Sequence, residues 1–182
     1  MNSFTTELRA EITGDKLQGF AHVFGTVAKV GQTLERMQEG CFTRSLASGQ
    51  EIIATHQHNR ALLLGTTASG SLRVSQDSQG LSFEIDKLPN TTAGRDVREL
   101  MERGDLRSCS FAFLEGQVAN TRANGTLLRT HTDISRLVDV SVVAQPAYPG
   151  TEAYLRAEEL LEEEELDLKT QLILIRQKIR SI

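Results

Sequence analysis

Residues 137–149 read LVDVSVVAQPAYP, and this stretch restricts the fold more than any other. Branched side chains at alternate positions favour a strand, because they pack well on a pleated surface. With period two, Val138, Val140, Val142 and Ala144 form one apolar face, and Asp139 and Ser141 lie on the other. Pro146 and Pro149 stop the strand, since proline has no N–H to give to a ladder. Residues 107–113, RSCSFAF, repeat the design. Cys109, Phe111 and Phe113 share one face; Ser108, Ser110 and Ala112 share the other. A third strand over residues 51–58 supplies His56 and His58. Each strand thus buries one face and presents polar, reactive groups on the other. Serine, histidine and carboxylate are the parts of an acyl-transfer site.

Composition narrows the class. The chain has 182 residues, 39% of them hydrophobic, which is enough for one domain with a substantial core. Two cysteines, Cys41 and Cys109, make neither a disulfide framework nor a zinc ligand set, which points to a reducing compartment. With four histidines as well, no metal site and no cofactor is expected. The formal net charge of −4 gives no general attraction to nucleic acid. The opening MNSFTTE lacks the basic and apolar regions of a signal peptide, and no apolar run approaches a membrane span. A cytosolic protein is expected.

Along the chain, residues 1–36 read as strands punctuated by Gly14-Asp15 and Gly31, with residues 20–30 rich in strand formers. Residues 40–49 read as a short helix closed by Gly49. Residues 71–88 are a hairpin turning at residues 77–80. A helix is predicted over residues 92–103, capped by Thr91 or Thr92 and ended by Gly104, with Val97, Leu100 and Met101 as its buried stripe. Strands 108–119 and 126–134 flank the strong turn signal Asn124-Gly125. Residues 152–180 contain no Gly or Pro and many Leu, Glu, Lys and Arg, the composition of a helical tail. The expected domains are therefore 1–151 and 152–182. The tail's apolar stripe needs a partner, as a docking helix, a coiled coil or a linker would provide.

Three motifs carry a family resemblance. His58 is followed seven residues later by Gly65 in HNRALLLG. Gly104-Asp105 leads into Ser-Cys-Ser-Phe-Ala-Phe, ending at Phe113. The strand through Asp139, Val140 and Ser141 runs on to Pro146-Ala147-Tyr148. In this order, over about residues 20–152, they resemble the prohead maturation proteases of tailed bacteriophages, relatives of herpesvirus assemblin. The resemblance implies a serine endopeptidase that cuts scaffold segments and the major capsid protein, and itself, inside the assembling prohead in the host cytoplasm. It implies His58 as general base, Ser110 as nucleophile and Asp139 at the family's acidic position. Asn59 departs from the usual aspartate, and Ala112 replaces a glycine. The implied fold is α+β: a closed or nearly closed, mostly antiparallel, herpesvirus-protease-like β-barrel with surrounding helices and the helical tail. A homo-oligomer is expected, without membrane or direct nucleic-acid binding.

Rival residues follow from the same patterns. His56 lies on the face of His58 at period two, but only His58 has the spacing to Gly65. His131 is the alternative third member, since the herpesvirus relatives use a second histidine. Cys109 is a rival nucleophile, yet its face is shared with Phe111 and Phe113, where burial raises a thiol pKa. Cys41 is expected under its short helix, and His22 has no companion pattern. Among function classes, a capsid-assembly or scaffold module that keeps the fold without the chemistry competes with the protease. A serine esterase lacks the Gly-x-Ser-x-Gly elbow.

Overall fold

The computed structural model describes residues 10–30, 32–123 and 125–144. The described residues begin with β1 (Ala10–Thr13) and β2 (Lys16–Val23), then β3 (Ala28–Val30) and β4 (Thr33–Met37). A single turn of helix, α1 (Thr43–Ala47), leads to β5 (Ile53–His56) and β6 (Asn59–Thr66). The hairpin β7 (Arg73–Gln76) and β8 (Gly80–Ile85) precedes α2 (Thr92–Glu102). Two long strands, β9 (Ser108–Ala123) and β10 (Thr126–Val143), close the described chain. Among the described residues the result is mostly β with two helices, α+β-like in composition.

Two sheets form. One runs β1-β2-β8-β7, antiparallel throughout. The other runs β3-β4-β10-β5-β6, with β9 also on β10. Strand β10 organises this second sheet. Antiparallel to β9, it pairs from Thr126 opposite Ala123 to Val143 opposite Ser108. It also pairs in parallel with β4 near Leu128–His131 and with β5 at Asp139–Val142. Antiparallel pairs dominate, as expected, but among the described residues the strands make two sheets and not one closed barrel. A backbone hydrogen bond from Ala10 N–H to Arg107 O, 2.9 Å, links the edge of one sheet to the start of β9 in the other.

The core lies between the sheets. Leu17 and Ala21 from β2 and Leu81, Phe83 and Ile85 from β8 belong to the same cluster as Cys109, Phe111, Phe113, Leu137, Val140 and Val142. Full burial of a side chain such as Phe113 contributes on the order of 1.5–3 kcal/mol. Helix α2 adds Val97 and Met101 to this core. Its Thr91 hydroxyl accepts the Gly94 N–H at 3.3 Å, and Gly104, with φ of 78°, lets the chain leave.

Several expectations change. The segments at 126–134 and 137–143 are one continuous strand, bent by irregularities at four places rather than broken. The N-terminal β-rich stretch divides, because β2 ends at Val23 and β3 begins at Ala28. Ala144 is exposed just past β10 and joins no apolar face. Pro146, Pro149 and the helix predicted for 152–180 lie outside the described residues.

Candidate active site

The site begins with a bulge. In the β9–β10 ladder Leu137 faces Phe113, but the next paired residue, Asp139, faces Ala112, so Val138 is the extra residue. A bulge re-aims the side chains that follow it. Leu137, Val140 and Val142 therefore share the core, while Val138 packs with Ala112 and Leu114 in a separate cluster. This corrects the simple alternation, which put Val138 with Val140 and Val142. The bulge brings Asp139 onto the face of Ala112, and Ser141 sits directly opposite Ser110. Side chains opposite one another in an antiparallel pair have Cβ atoms about 5 Å apart, so Ser110, Ser141 and Asp139 occupy one small area of the sheet.

His58 reaches this area from a turn and not from a strand. His56 pairs with Asn59, so Gln57 and His58 alone connect β5 to β6. Their φ angles are 59° and 54°. A two-residue hairpin with both central residues left-handed normally uses Asn-Gly, because other L-residues pay about 1–2 kcal/mol each for that conformation. Two hydrogen bonds hold it. Gln57 N–H donates to Val142 O at 3.0 Å, and His58 N–H donates to the Ser141 hydroxyl oxygen at 3.2 Å. His56 does not share the position of His58: it remains in β5, half-buried.

The turn delivers the imidazole to the carboxylate. His58 Nδ1 lies 2.6 Å from Asp139 Oδ1, with both side chains almost wholly buried. The Ser141 hydroxyl donates to the same oxygen at 2.8 Å, and the Thr55 hydroxyl donates to Oδ2 at 2.7 Å. Three donors, two on Oδ1 and one on Oδ2, offset the burial of the carboxylate. The Nδ1–H bond fixes the tautomer and leaves Nε2 as the free lone pair. Nε2 is buried and makes no hydrogen bond, to Ser110 or to any other described residue. Ser110 is 8% exposed, against 1% for Ser141, so of the two facing serines Ser110 is the more accessible.

The rivals are placed elsewhere. His131 is buried, with Nε2 3.0 Å from Glu35 Oε2, and Arg129 forms ion pairs with Glu35 and Glu115. Eight residues of β10 separate it from Asp139, roughly 25 Å along a strand. Burial raises the Glu35 pKa, but hydrogen bonds and charge from His131 and Arg129 outweigh it and hold the group below its usual value. Cys109 is fully buried, and burial pushes its thiol up to about 12. Cys41 is likewise pushed up to about 12, chiefly by burial, against a backbone hydrogen bond that lowers it and with the charge of Asp133 adding to the rise. Both thiols are protonated at neutral pH and poor nucleophiles. His22 packs edge-on against Phe24 and Phe111. Among the described residues no three His, Cys, Asp or Glu side chains form a group able to hold a metal.

Thr55 and the double role of Ser141 were not foreseen as parts of this site. The alternation predicts that polar residues opposite an apolar face meet solvent, yet Thr55, Asp139 and Ser141 are all 1% exposed or less. The signal lay in a run of small hydroxyl and carboxyl groups on strands that prove buried on both faces.

The comparisons with curated proteins and with solved structures find no match to the chain. A family model, described as caudovirus prohead serine protease, matches residues 4–165. That span includes β1 to β10, with His58, Ser110 and Asp139 within it. A match over so much of the chain makes this protein a member of the caudovirus prohead serine protease family, and hence a serine protease of phage capsid maturation.

Proposed function

We propose that Ser110 is the nucleophile, His58 the general base and Asp139 the residue that orients it. The observation that carries this reading is the buried His58–Asp139 pair at 2.6 Å, set on the face that also bears Ser110. A serine hydroxyl is too weak an acid to attack a peptide unaided. In the proposed reaction Ser110 Oγ attacks the scissile carbonyl carbon and its proton passes to His58 Nε2. The Asp139 carboxylate stabilises the imidazolium, which then protonates the leaving amine. Water, activated by the same base, hydrolyses the acyl-serine. The free protein lacks the Ser110–His58 hydrogen bond, and such bonds commonly tighten only with substrate bound. Backbone amides following Ser110 are the candidate oxyanion donors.

The substrates in this reading are scaffold segments and the major capsid protein, with the enzyme itself as a further target. It acts as an oligomer inside the assembling shell, where confinement raises effective concentration to roughly millimolar. Two sheets closing on one core are compatible with the barrel plan of herpesvirus assemblin.

The test is co-expression with the capsid protein, reading cleavage on a gel. Ser110→Ala stops processing, by at least about 10³-fold in rate, with the melting temperature little changed. Asp139→Asn cripples turnover more than His131→Ala or His56→Ala. Normal cleavage by Ser110→Ala contradicts the assignment, and a greater loss in His131→Ala moves the third member to that histidine.

A further inference from the structure

Beyond the three residues of the proposed reaction, we infer that Ser141 and Thr55 are positioning residues that lock the His58–Asp139 pair from two sides. The inference rests on the reading of that pair as base and orienting acid. Asp139 Oδ1 takes two donors, His58 Nδ1–H and the Ser141 hydroxyl, and Oδ2 takes the Thr55 hydroxyl. The two hydroxyl oxygens lie 2.6 Å apart; each has one proton, and with both given to Asp139 they sit side by side without a hydrogen bond between them. The members of this network arise from adjacent parallel strands, with Thr55 of β5 in register with Ser141 of β10. All of it is buried, where a misplaced dipole is not screened by water.

Ser141 does more than hold the carboxylate. Its oxygen also accepts the backbone N–H of His58, in a turn whose φ of 54° is unfavourable for a residue with a Cβ. Strain of that kind persists only where the surroundings over-determine it. One hydroxyl thus fixes both the backbone that carries the base and the acid that orients it. Thr55 holds the other carboxylate oxygen and so sets the plane of the group.

Two effects follow. Losing either hydroxyl loosens the imidazole; partners that orient metal-ligating histidines in the same way matter about 10–100-fold, and that scale is taken for this pair. It also concentrates the carboxylate charge on the bond to His58. That favours the imidazolium, so the acid limb of the rate profile moves to higher pH.

The experiment measures kcat, KM and the pH profile on a capsid-derived peptide for Ser141→Ala, Thr55→Val and Thr55→Ser, with Ser110→Ala in parallel. Ser141→Ala and Thr55→Val are expected to lower kcat about 10–100-fold at nearly unchanged KM and to shift the acid limb upward. Thr55→Ser, which keeps the hydroxyl, is expected to retain most of the rate. Inactive Ser110→Ala beside wild-type rates and profiles in Ser141→Ala and Thr55→Val overturns the positioning role alone. Equal losses in Thr55→Ser and Thr55→Val overturn it too, since packing rather than the hydroxyl would then matter. Full activity in Ser110→Ala removes the underlying reading and this inference together.

Discussion

At the scale of single residues, environment separates groups that look alike in sequence. Cys109 and Ser110 are neighbours, yet one is packed in the apolar core and the other lies opposite Ser141 on the face that carries Asp139. The histidines divide in the same way. His58 meets a carboxylate, whereas His22 lies among Phe24 and Phe111, and burial followed by the nearby charge of His131 lowers its pKa to about 4. The unfolded chain restores the ordinary value near 6.5, so between these values the unfolded state binds the extra proton. The stability from neutral His22 is present above the unfolded pKa and is lost as pH falls toward the folded one. His56, lowered by burial and only partly restored by Asp96, acts in the same direction. The His22 term should cost about 2 kcal/mol between roughly pH 7 and pH 5. His22→Phe, which keeps the ring contacts, is expected to flatten that slope in denaturant melts. An unchanged slope would show that His22 titrates normally.

At the scale of elements, backbone geometry rather than composition decides where side chains go. The β9–β10 hairpin, with Gly125 left-handed beside the Ala123–Thr126 pair, the cap of α2 and the β7–β8 turn at Asp77 were legible, because each uses residues suited to its backbone. The turn at Gln57-His58 was not, since neither residue signals a left-handed pair. The bulge at Val138 was hidden by an alternation that looks unbroken, and the parallel pairing of β10 with β4 and β5 joins segments far apart in sequence. Two substitutions probe these elements with opposite signs. Gln57→Gly suits the left-handed turn and is expected to stabilise by a few tenths to about 1 kcal/mol. At Gly80 an added Cβ would lie 2.0 Å from the His22 carbonyl oxygen, where β2 and β8 come close. Gly80→Ala should therefore destabilise by about 2 kcal/mol or more, because the obstructing atom is backbone. Thermal melts of both variants check this; equal melting temperatures would contradict the geometry at both sites.

At the scale of the whole molecule, β10 ties the fold to the chemistry. Its core face helps to close the two sheets over one interior, and its other face carries Asp139 and Ser141. The broad class was legible because the two patterned strands pair with each other in one sheet and the segment after His58 forms a third strand of it. The way the sheets come together was not, since it depends on pairings between distant segments. The expected boundary near Gly150 gives a prediction for the full chain against one ending at Glu152. The shorter chain should still melt cooperatively while changing its oligomeric state or its entry into proheads. Loss of cooperative melting would place the tail in the protease core. The most direct test of the central claim is covalent labelling of the full-length protein, co-expressed with its capsid protein, by a fluorophosphonate, with the modified peptide read by mass spectrometry. The account predicts one label, on Ser110, and a parallel loss of processing. A label on Ser141 or Cys109, or continued processing with Ser110 fully modified, would contradict it.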